Sequence, residues 1–212
     1  MHSQQSKENI LKKIRQALET STKKPVPKPD FSASIYTQTN EDPSVTFAQI
    51  FTKNKGEFIF CEDEKEFLTN LELLLDKRNL RKVYVWEKAL QVLLSKQNIA
   101  YSSTDNNFTS AEVGITLCEC LIARTGCIMV SSGQMAGRRL GIYPHIHIVV
   151  AYSSQLLPDV KDGLQFLQNK YTLSLPSMIN MIAGPSRTAD IEKTLVLGAH
   201  GPKEIILFLI EG

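Results

Sequence analysis

Short apolar runs alternate with longer amphipathic segments along most of the chain, and this alternation restricts the fold more than any other feature of the sequence. Glu57–Cys61, Lys82–Trp86 and Ile146–Ala151 have the length and composition of strands. Glu64–Lys77 and Lys88–Gln97 place their apolar residues at helical spacing. Strands that alternate with helices in this way are typical of a parallel sheet with helical crossovers. We therefore predict an α/β fold, a single domain with a mostly parallel central sheet.

Two further helices are predicted, one that starts at Asp42-Pro43 and one over Pro158–Lys170. The apolar residues of the four helices predict which sides are buried. They are Val45, Phe47, Ile50 and Phe51 in the first, Phe67, Leu68, Leu71, Leu74 and Leu75 in the second, Leu90, Val92, Leu93 and Leu94 in the third, and Val160, Leu164, Phe166 and Leu167 in the fourth. No glycine-rich dinucleotide motif or P-loop motif occurs in the sequence.

The composition argues against several functional classes. Hydrophobic residues make up 42% and charged residues 22% of the 212 residues, which is ordinary for a globular protein. A net charge of +2 does not predict nucleic-acid binding. No apolar run approaches the ~20 residues that cross a bilayer, and the N-terminus lacks the apolar core of a signal peptide. The four cysteines have no framework spacing, which indicates reduced thiols and predicts a cytoplasmic protein.

The first 30 residues are predicted to be an appendage of the main domain. Ser6–Glu19 forms a basic amphipathic helix by its spacing, and three alternate prolines from Pro25 to Pro29 favour an extended linker. We place the boundary between residues 1–30 and an α/β domain of residues 31–212. The helix could lie on a membrane or a partner. Packing on its own domain or on a second subunit is the favoured interpretation, so a homo-oligomer is possible.

The chemistry is predicted to lie in the polar, turn-rich stretch from residue 184 to residue 202. It separates Met178–Ala183 from Ile205–Ile210, two apolar runs that we expect to be strands buried on both faces. Polar segments between buried strands commonly carry the function of α/β proteins. Ser186, Arg187 and Thr188 are predicted to begin a short helix, whose N–H groups together with the arginine would bind a carboxylate or phosphate.

Two other interpretations of this stretch stay open. In one, Ser186 or Thr188 only caps the helix, and Arg187 pairs with Asp190. In the other, Ser186, Asp190 and His200 form a hydrolytic triad, although the serine lacks the G-x-S-x-G elbow of such enzymes.

Two apolar runs around a Thr-Gly pair at residues 125–126 predict a tight hairpin. In the expected register Arg124 pairs with Cys127, and Cys120 faces Ser131. In that register Cys127 lies away from Cys118 and Cys120. Because C-x-C is not the spacing of zinc or iron–sulfur knuckles, we expect buried structural thiols and no metal.

His145 and His147 fall on one face of a predicted strand and could share a metal or an anion. In the competing interpretation, the histidine makes its hydrogen bonds within the core or in a turn and binds no ligand. Arg138, on a glycine-rich connection close to the hairpin in sequence, is a candidate for a second anion contact.

Taken together, these residues resemble a known family, the LUD domain family of the lactate-utilisation protein C type. The similarity runs from about Ala111 to Leu209. The matching residues are Val113–Thr116, Thr125-Gly126, Arg138 with Leu140, Pro144 with His147-Ile148, Gly184–Glu192 and Leu195–Pro202.

The resemblance implies a fold similar to the CoA-transferase, sugar-phosphate isomerase and formyltetrahydrofolate cyclo-ligase group. It also implies a role in the oxidation of L-lactate to pyruvate, beside two partner proteins that carry iron–sulfur clusters. This chain lacks a cluster-binding set of cysteines, so we expect it to bind no cofactor and its partners to perform the redox chemistry. We expect a small anionic ligand to bind two groups of polar residues that lie close together. The first group is Ser186, Arg187, Thr188, His200 and Gly201, and the second group is Thr125, Gly126 and Arg138.

One position departs from the family. Its members usually read Glu-Thr-Gly-Thr where this chain has Arg124-Thr125-Gly126-Cys127. A glutamate there could act as acid, base or nucleophile, as one does in CoA transferases, whereas arginine cannot.

Three hypotheses follow. The chain is a non-redox component of lactate utilisation that binds an anion, or a stand-alone transferase or ligase acting on a phosphate- or CoA-bearing substrate, or a scaffold subunit. In the second hypothesis Asp190 or His200 would supply the acid–base chemistry.

Overall fold

The computed structural model describes residues 2–19, 41–104, 106–189 and 195–212, without the side chains of residues 2–4, 188, 189, 195 and 196. The chain divides into two compact units, residues 1–39 and residues 40–212. Within the first unit, helix α1 (His2–Glu19) confirms the predicted amphipathic helix. Its apolar residues Ile10, Ile14 and Leu18 are exposed. The proline-rich linker lies outside the described residues, and the boundary at residue 30 stays a prediction.

The second unit holds the remaining helices and all of the described strands. The helices are α2 (Pro43–Lys53), α3 (Glu64–Lys77), α4 (Lys88–Ser95) and α5 (Val160–Lys170). The strands are β1 (Glu57–Cys61), β2 (Val83–Val85), β3 (Val113–Leu117), β4 (Cys120–Ile122), β5 (Cys127–Ser131), β6 (Ile146–Tyr152), β7 (Leu156–Leu157), β8 (Ile179–Ile182), β9 (Arg187–Ala189), β10 (Leu195–Leu197) and β11 (Glu204–Ile210).

Five strands form a parallel sheet in the order β1-β11-β6-β3-β2, which confirms the predicted α/β fold. The strands of this sheet are apolar on both faces because both faces are covered. Helices α3 and α4 pack on one face, where Phe67 meets Phe208 with ring centroids 5.2 Å apart. All five strands run in one direction, so their carboxyl ends lie along the same edge.

A second sheet covers the other face and was not predicted. Its strands follow the order β7-β4-β5-β8, with β4, β5 and β8 antiparallel. Its inner side and helix α2 form one apolar cluster with the parallel sheet, which includes Phe51, Ile128 and Leu207. Helix α5 covers the outer side, where Leu167 packs near Met129. The core is therefore built in four layers: helices, parallel sheet, second sheet and helix.

Three of the described helices, α2, α3 and α5, begin at residues whose side chains cap them. Asp42 accepts a hydrogen bond from the Ser44 N–H at 2.8 Å, with Pro43 at the first helical position, as predicted. Asp63 caps α3 in the same way through the Glu66 N–H at 2.7 Å. These caps satisfy N–H groups that a helix cannot pair internally, so the sequence determines where the helices start.

Four residues predicted to be buried are exposed instead. Val45, Val92, Leu164 and Phe166 lie on the outer sides of their helices. Each of these helices covers a sheet from one side only, so its buried stripe is narrower than the run of apolar residues. The run that forms β8 is also only partly buried, because this strand lies at the edge of the second sheet.

The predicted hairpin exists, but its register is wrong by two residues. Ile122 pairs with Cys127, and Cys120 pairs with Met129. A single 3-10 turn over Ala123–Thr125 separates the two strands and removes Arg124 from the pairing.

The predicted helix at Ser186 is also wrong. Residues 187–189 form β9, which pairs antiparallel with β10, so this stretch is a two-stranded ribbon. It therefore lacks the helix N-terminus on which the anion-site prediction relied. Among the described residues, no helix combines the length and the apolar character that a membrane crossing requires.

Candidate functional site

The backbone of Ser186 brings part of the predicted site together. Its N–H donates to the Pro202 carbonyl at 2.9 Å, and its carbonyl accepts from the Gly198 N–H at 3.0 Å. These two bonds hold both ends of the loop that carries His200 and Gly201. A Cβ atom on Gly201 would lie only 3.2 Å from the Cβ of Ser186. Ser186 therefore lies against Gly201 and the loop that carries His200, while their role in binding stays a prediction.

Arg187 turns towards helix α2. Its guanidinium donates to the carbonyl of Asn54, the residue that follows this helix. A Cβ on Gly184 would lie 2.5 Å from the same carbonyl oxygen, so glycine permits the close approach. Carbonyl groups at a helix C-terminus carry partial negative charge, which an arginine stabilises. Thr188 pairs with Val196 in the ribbon. The side chain of Thr188 and all of Asp190 lie outside what the structure describes.

Thr125 and Gly126 pack under the same end of α2. A Cβ on Gly126 would lie 2.8 Å from the backbone nitrogen of Phe51, and its φ of 58° lies in the left-handed region. The Thr125 hydroxyl is buried without a hydrogen-bond partner. The last turns of α2 therefore lie between these two residues and Arg187, and Gly126 serves helix packing.

Arg138 lies elsewhere. Its guanidinium donates to the hydroxyl of Ser177, which also bonds Ser132 at 3.3 Å. Ser132 follows the carboxyl end of β5, whereas Gly126 precedes the amino end of that five-residue strand. The structure thus divides the predicted residues among three places.

Arg124 forms a two-pronged ion pair with Asp159. Its Nε and an Nη atom donate to the two carboxylate oxygens at 2.9 and 2.7 Å. The hydrogen bond from Arg124 is the largest of the effects that lower the pKa of Asp159. Asp159 also caps helix α5. Arg124 therefore holds in place the residue that caps the start of α5.

The cysteines and histidines hold no cluster of metal ligands within the described ranges. All four cysteines are buried and free, as predicted, and burial raises the pKa of Cys118 and Cys120. His145 is exposed, whereas His147 is buried in β6. The two histidines therefore do not face a common ligand.

Sequence reasoning missed a buried carboxylate, Glu119, between β3 and β4. It accepts hydrogen bonds from Ser131 at 2.5 Å, Tyr171 at 2.8 Å and Lys170 at 2.7 Å. The Ser131 hydroxyl in turn accepts from the Gly133 N–H at 3.0 Å. One carboxylate thus joins the second sheet, helix α5 and the loop after β5. A lone carboxylate between two cysteines in an apolar stretch was the available signal.

A second polar group, of which the sequence indicated only His147, surrounds a small cavity beside β3 and β6, next to the loop after β5. The Glu87 cavity, as we name it, is lined by the side chains of Glu87, Thr116, Gln134 and His147 and measures about 10 Å³. Thr116 and His147 are joined by a 2.8 Å contact between Oγ1 and Nε2. Within the part of the chain that the structure describes, neither carboxylate oxygen of Glu87 has a hydrogen-bond partner, and neither has Nδ1 of His147.

Burial shifts the pKa of both titratable groups towards the neutral form. Glu87 is 8% exposed, and burial raises its pKa from 4.5 to about 7. Backbone N–H groups nearby oppose this shift without forming hydrogen bonds to the carboxylate. Burial lowers the pKa of His147 to about 4. Ionisable groups with shifted pKa values that line a cavity are typical of functional sites.

The fold and these polar clusters define an α/β protein whose polar groups gather in a cavity beside a parallel sheet and around a two-stranded ribbon. The LUD domain family model matches residues 45–210, and the chain belongs to this family.

Several similar proteins share one name. A protein named lactate utilization protein C from Geobacillus sp. strain WCH70 is 28% identical over 186 residues, which cover 83% of this chain and 73% of that protein. Proteins of the same name from Halalkalibacterium halodurans and Bacillus subtilis are 36% and 33% identical. These two alignments cover 48% and 47% of this chain, and 45% and 42% of the relatives.

The fold also resembles a solved structure, a DUF162 family protein from Deinococcus radiodurans. The TM-score is 0.59 at 17% identity, and the match covers 79% of this chain and 96% of that chain. At this identity the likeness concerns the fold alone.

Proposed function

We propose that the chain is a component of an L-lactate utilisation system and takes part in the oxidation of lactate to pyruvate without performing redox chemistry itself. The observation that carries the proposal is the 28% identity over 83% of this chain to a lactate utilization protein C. Iron–sulfur proteins are the partners we propose, and they would supply the electron transfer. All four cysteines are buried, and burial raises the pKa of Cys61, Cys118 and Cys120, which disfavours the thiolate that a cluster ligand requires.

We further propose that a small anion binds beside the β9–β10 ribbon. Ser186, Gly201 and His200 share one surface there, and the exposed side chains of Arg187 and Lys203 add positive charge. A carboxylate ligand suits this surface because hydroxyl and N–H donors with a nearby cation stabilise it. Gly126 packs with Thr125 beside helix α2, and Arg138 bonds Ser177 at the far end of β5, so these three residues are left out of the binding set.

Growth on L-lactate tests the role in the host. Deletion of the gene should abolish growth on L-lactate and leave growth on pyruvate unchanged, and the wild-type gene should restore it. Unimpaired growth of the deletion strain on L-lactate would refute the role.

Calorimetry with L-lactate as the probe tests the anion site. The wild-type chain should bind, Arg187→Ala should bind at least tenfold more weakly, and Arg81→Ala, an exposed arginine in another part of the domain, should bind like the wild type. Equal affinity of Arg187→Ala and wild type for L-lactate would refute the anion-site proposal. It would not affect the proposed role in lactate utilisation.

A further inference from the structure

The Glu87 cavity lies where three strands of the parallel sheet bring polar side chains together. Glu87 follows β2, Thr116 lies near the carboxyl end of β3, and His147 extends from the neighbouring β6. None of these residues belongs to the proposed anion site, so the inference below does not depend on that proposal.

Three polar atoms of the residues that line this cavity lack hydrogen-bond partners among the described residues. Both carboxylate oxygens of Glu87 and Nδ1 of His147 are buried without a hydrogen bond. A buried polar group that is left unpaired destabilises the folded state, because it has given up its hydrogen bonds to water. Native proteins pair the large majority of such groups with protein atoms or bound molecules. Three unpaired atoms around one cavity therefore indicate a ligand that pairs them.

The roof of the cavity is anchored, so the cavity is a lasting feature of the fold. Ala136 and Leu140, in the loop after β5, are buried in a cluster with Trp86. The Arg139 guanidinium lies 5.0 Å from the Trp86 ring centroid and 5.1 Å from that of Phe108. Collapse of the loop onto Glu87 would have to break these contacts.

The size and the chemistry of the cavity restrict its occupant. A space of about 10 Å³ admits one water-sized group. Its neighbours are a carboxyl group, an imidazole and a hydroxyl, which can both donate and accept hydrogen bonds. An anion would meet the carboxylate of Glu87 without an opposing cation among the lining residues. A neutral hydroxyl group fits all of these conditions, because it donates one hydrogen bond and accepts others.

We propose that the Glu87 cavity binds one hydroxyl group between the carboxyl group of Glu87 and Nδ1 of His147. The hydroxyl belongs either to a water molecule or to a small hydroxylated ligand that reaches the cavity past the loop after β5. In both cases the bound group links Glu87 to the hydrogen-bonded pair of Thr116 and His147, so that a proton can pass between the carboxyl and the imidazole.

Crystal structures of the full chain test the proposal directly. Crystals grown without alcohols or polyols would be compared with crystals soaked in L-lactate and in pyruvate, which lacks the hydroxyl. We expect density within hydrogen-bond distance of both Glu87 and His147. A separate round peak in all three crystals identifies water, and a peak continuous with the probe in the L-lactate crystal alone identifies a ligand hydroxyl.

Two results would overturn the proposal. One is a cavity without density, and the other is a Glu87 carboxyl group turned onto the backbone N–H groups of Leu117 or Ala136. Variants sharpen the test: Glu87→Gln keeps the hydrogen-bonding capacity and should keep the peak, whereas Glu87→Leu should lose it. Because Glu87→Leu could fail to fold, the wild-type density decides by itself.

Discussion

The ammonium group of Lys170 lies 2.7 Å from Oε2 of Glu119, and the two side chains are 46% and 0% exposed. Burial alone would lower the pKa of Lys170, but the hydrogen bond and the charge attraction of Glu119, with smaller effects of Tyr171 and Cys118, together raise it. The pair connects the last turn of α5 to the loop between β3 and β4. The buried carboxylate of Glu119 is thus paired with the ammonium group of Lys170, which is partly exposed to solvent.

Removal of this cation should destabilise the domain. Lys170→Met leaves Glu119 buried with only hydroxyl donors, and breaking a buried ion pair on one side costs about 3 kcal/mol. Urea unfolding at pH 7 measures the change. The control is Lys161→Met, an exposed lysine on the same helix, which should change the free energy of unfolding by less than about 0.5 kcal/mol. Equal stability of both variants would show that Glu119 does not need its partner.

Glu87 should make the stability of the domain fall as the pH rises. Its pKa is about 7 in the folded protein and 4.5 ordinarily, so the folded state holds the proton that the unfolded state loses between these values. The contribution of Glu87 to the free energy of unfolding is fully present below pH 4.5, declines between pH 4.5 and pH 7, and is lost above pH 7. The total change is about 3 kcal/mol. Glu87→Gln should therefore gain stability relative to wild type between pH 5 and pH 8. Exposed Glu62→Gln serves as the control and should show a constant difference across that range.

The left-handed glycine under helix α2 should tolerate no side chain. In Gly126→Ala the new Cβ meets the backbone nitrogen of Phe51 at 2.8 Å, so the helix has to move. We expect a loss of about 3 kcal/mol in the free energy of unfolding. Gly198→Ala shares the positive φ, but its Cβ meets the flexible side chain of Lys203, and the expected loss is about 1 kcal/mol. Thermal or urea unfolding of both variants distinguishes them, and a smaller loss for Gly126→Ala would contradict the packing argument.

The Arg124–Asp159 pair can be tested by exchange. Arg124→Glu introduces the glutamate that the family resemblance implies at this position, and it places two carboxylates next to each other. The free energy of unfolding should therefore fall by about 1 kcal/mol or more. The double variant Arg124→Glu with Asp159→Arg should recover part of this loss, less the capping contribution of Asp159. A double-mutant cycle at low and at high salt measures the coupling, which should weaken with salt. No coupling at low salt would mean that the pair contributes nothing to stability.

Much of the parallel sheet could be predicted from local patterns. The segment Glu64–Lys77 was predicted as a helix and forms one with the same ends, because Asp63 caps it and apolar residues recur at helical spacing. The second sheet was missed because β4 and β7 have only three and two residues, too few for a periodicity to show. The hairpin register failed because the 3-10 turn at Ala123–Thr125 takes up residues that a tight turn would leave in the strands.

The site was harder to predict, because its contacts join residues that are distant in sequence. Ser186 and Gly201 come together through backbone bonds that follow from the ribbon, and the predicted helix there is wrong. Arg138 is close to the hairpin in sequence, yet it lies at the far end of β5. The partner of Glu119 is 51 residues away on α5. Neither spacing nor composition shows which carboxylates a fold will bury.

L-Lactate oxidation in extracts tests the central proposal most directly. An extract of a deletion strain, supplied with an artificial electron acceptor, should oxidise L-lactate at background rate. Addition of the purified chain should restore the activity, while the chain alone with L-lactate and the acceptor should show none. Undiminished L-lactate oxidation in the deletion extract, or turnover by the isolated chain, would contradict a non-redox component of lactate utilisation.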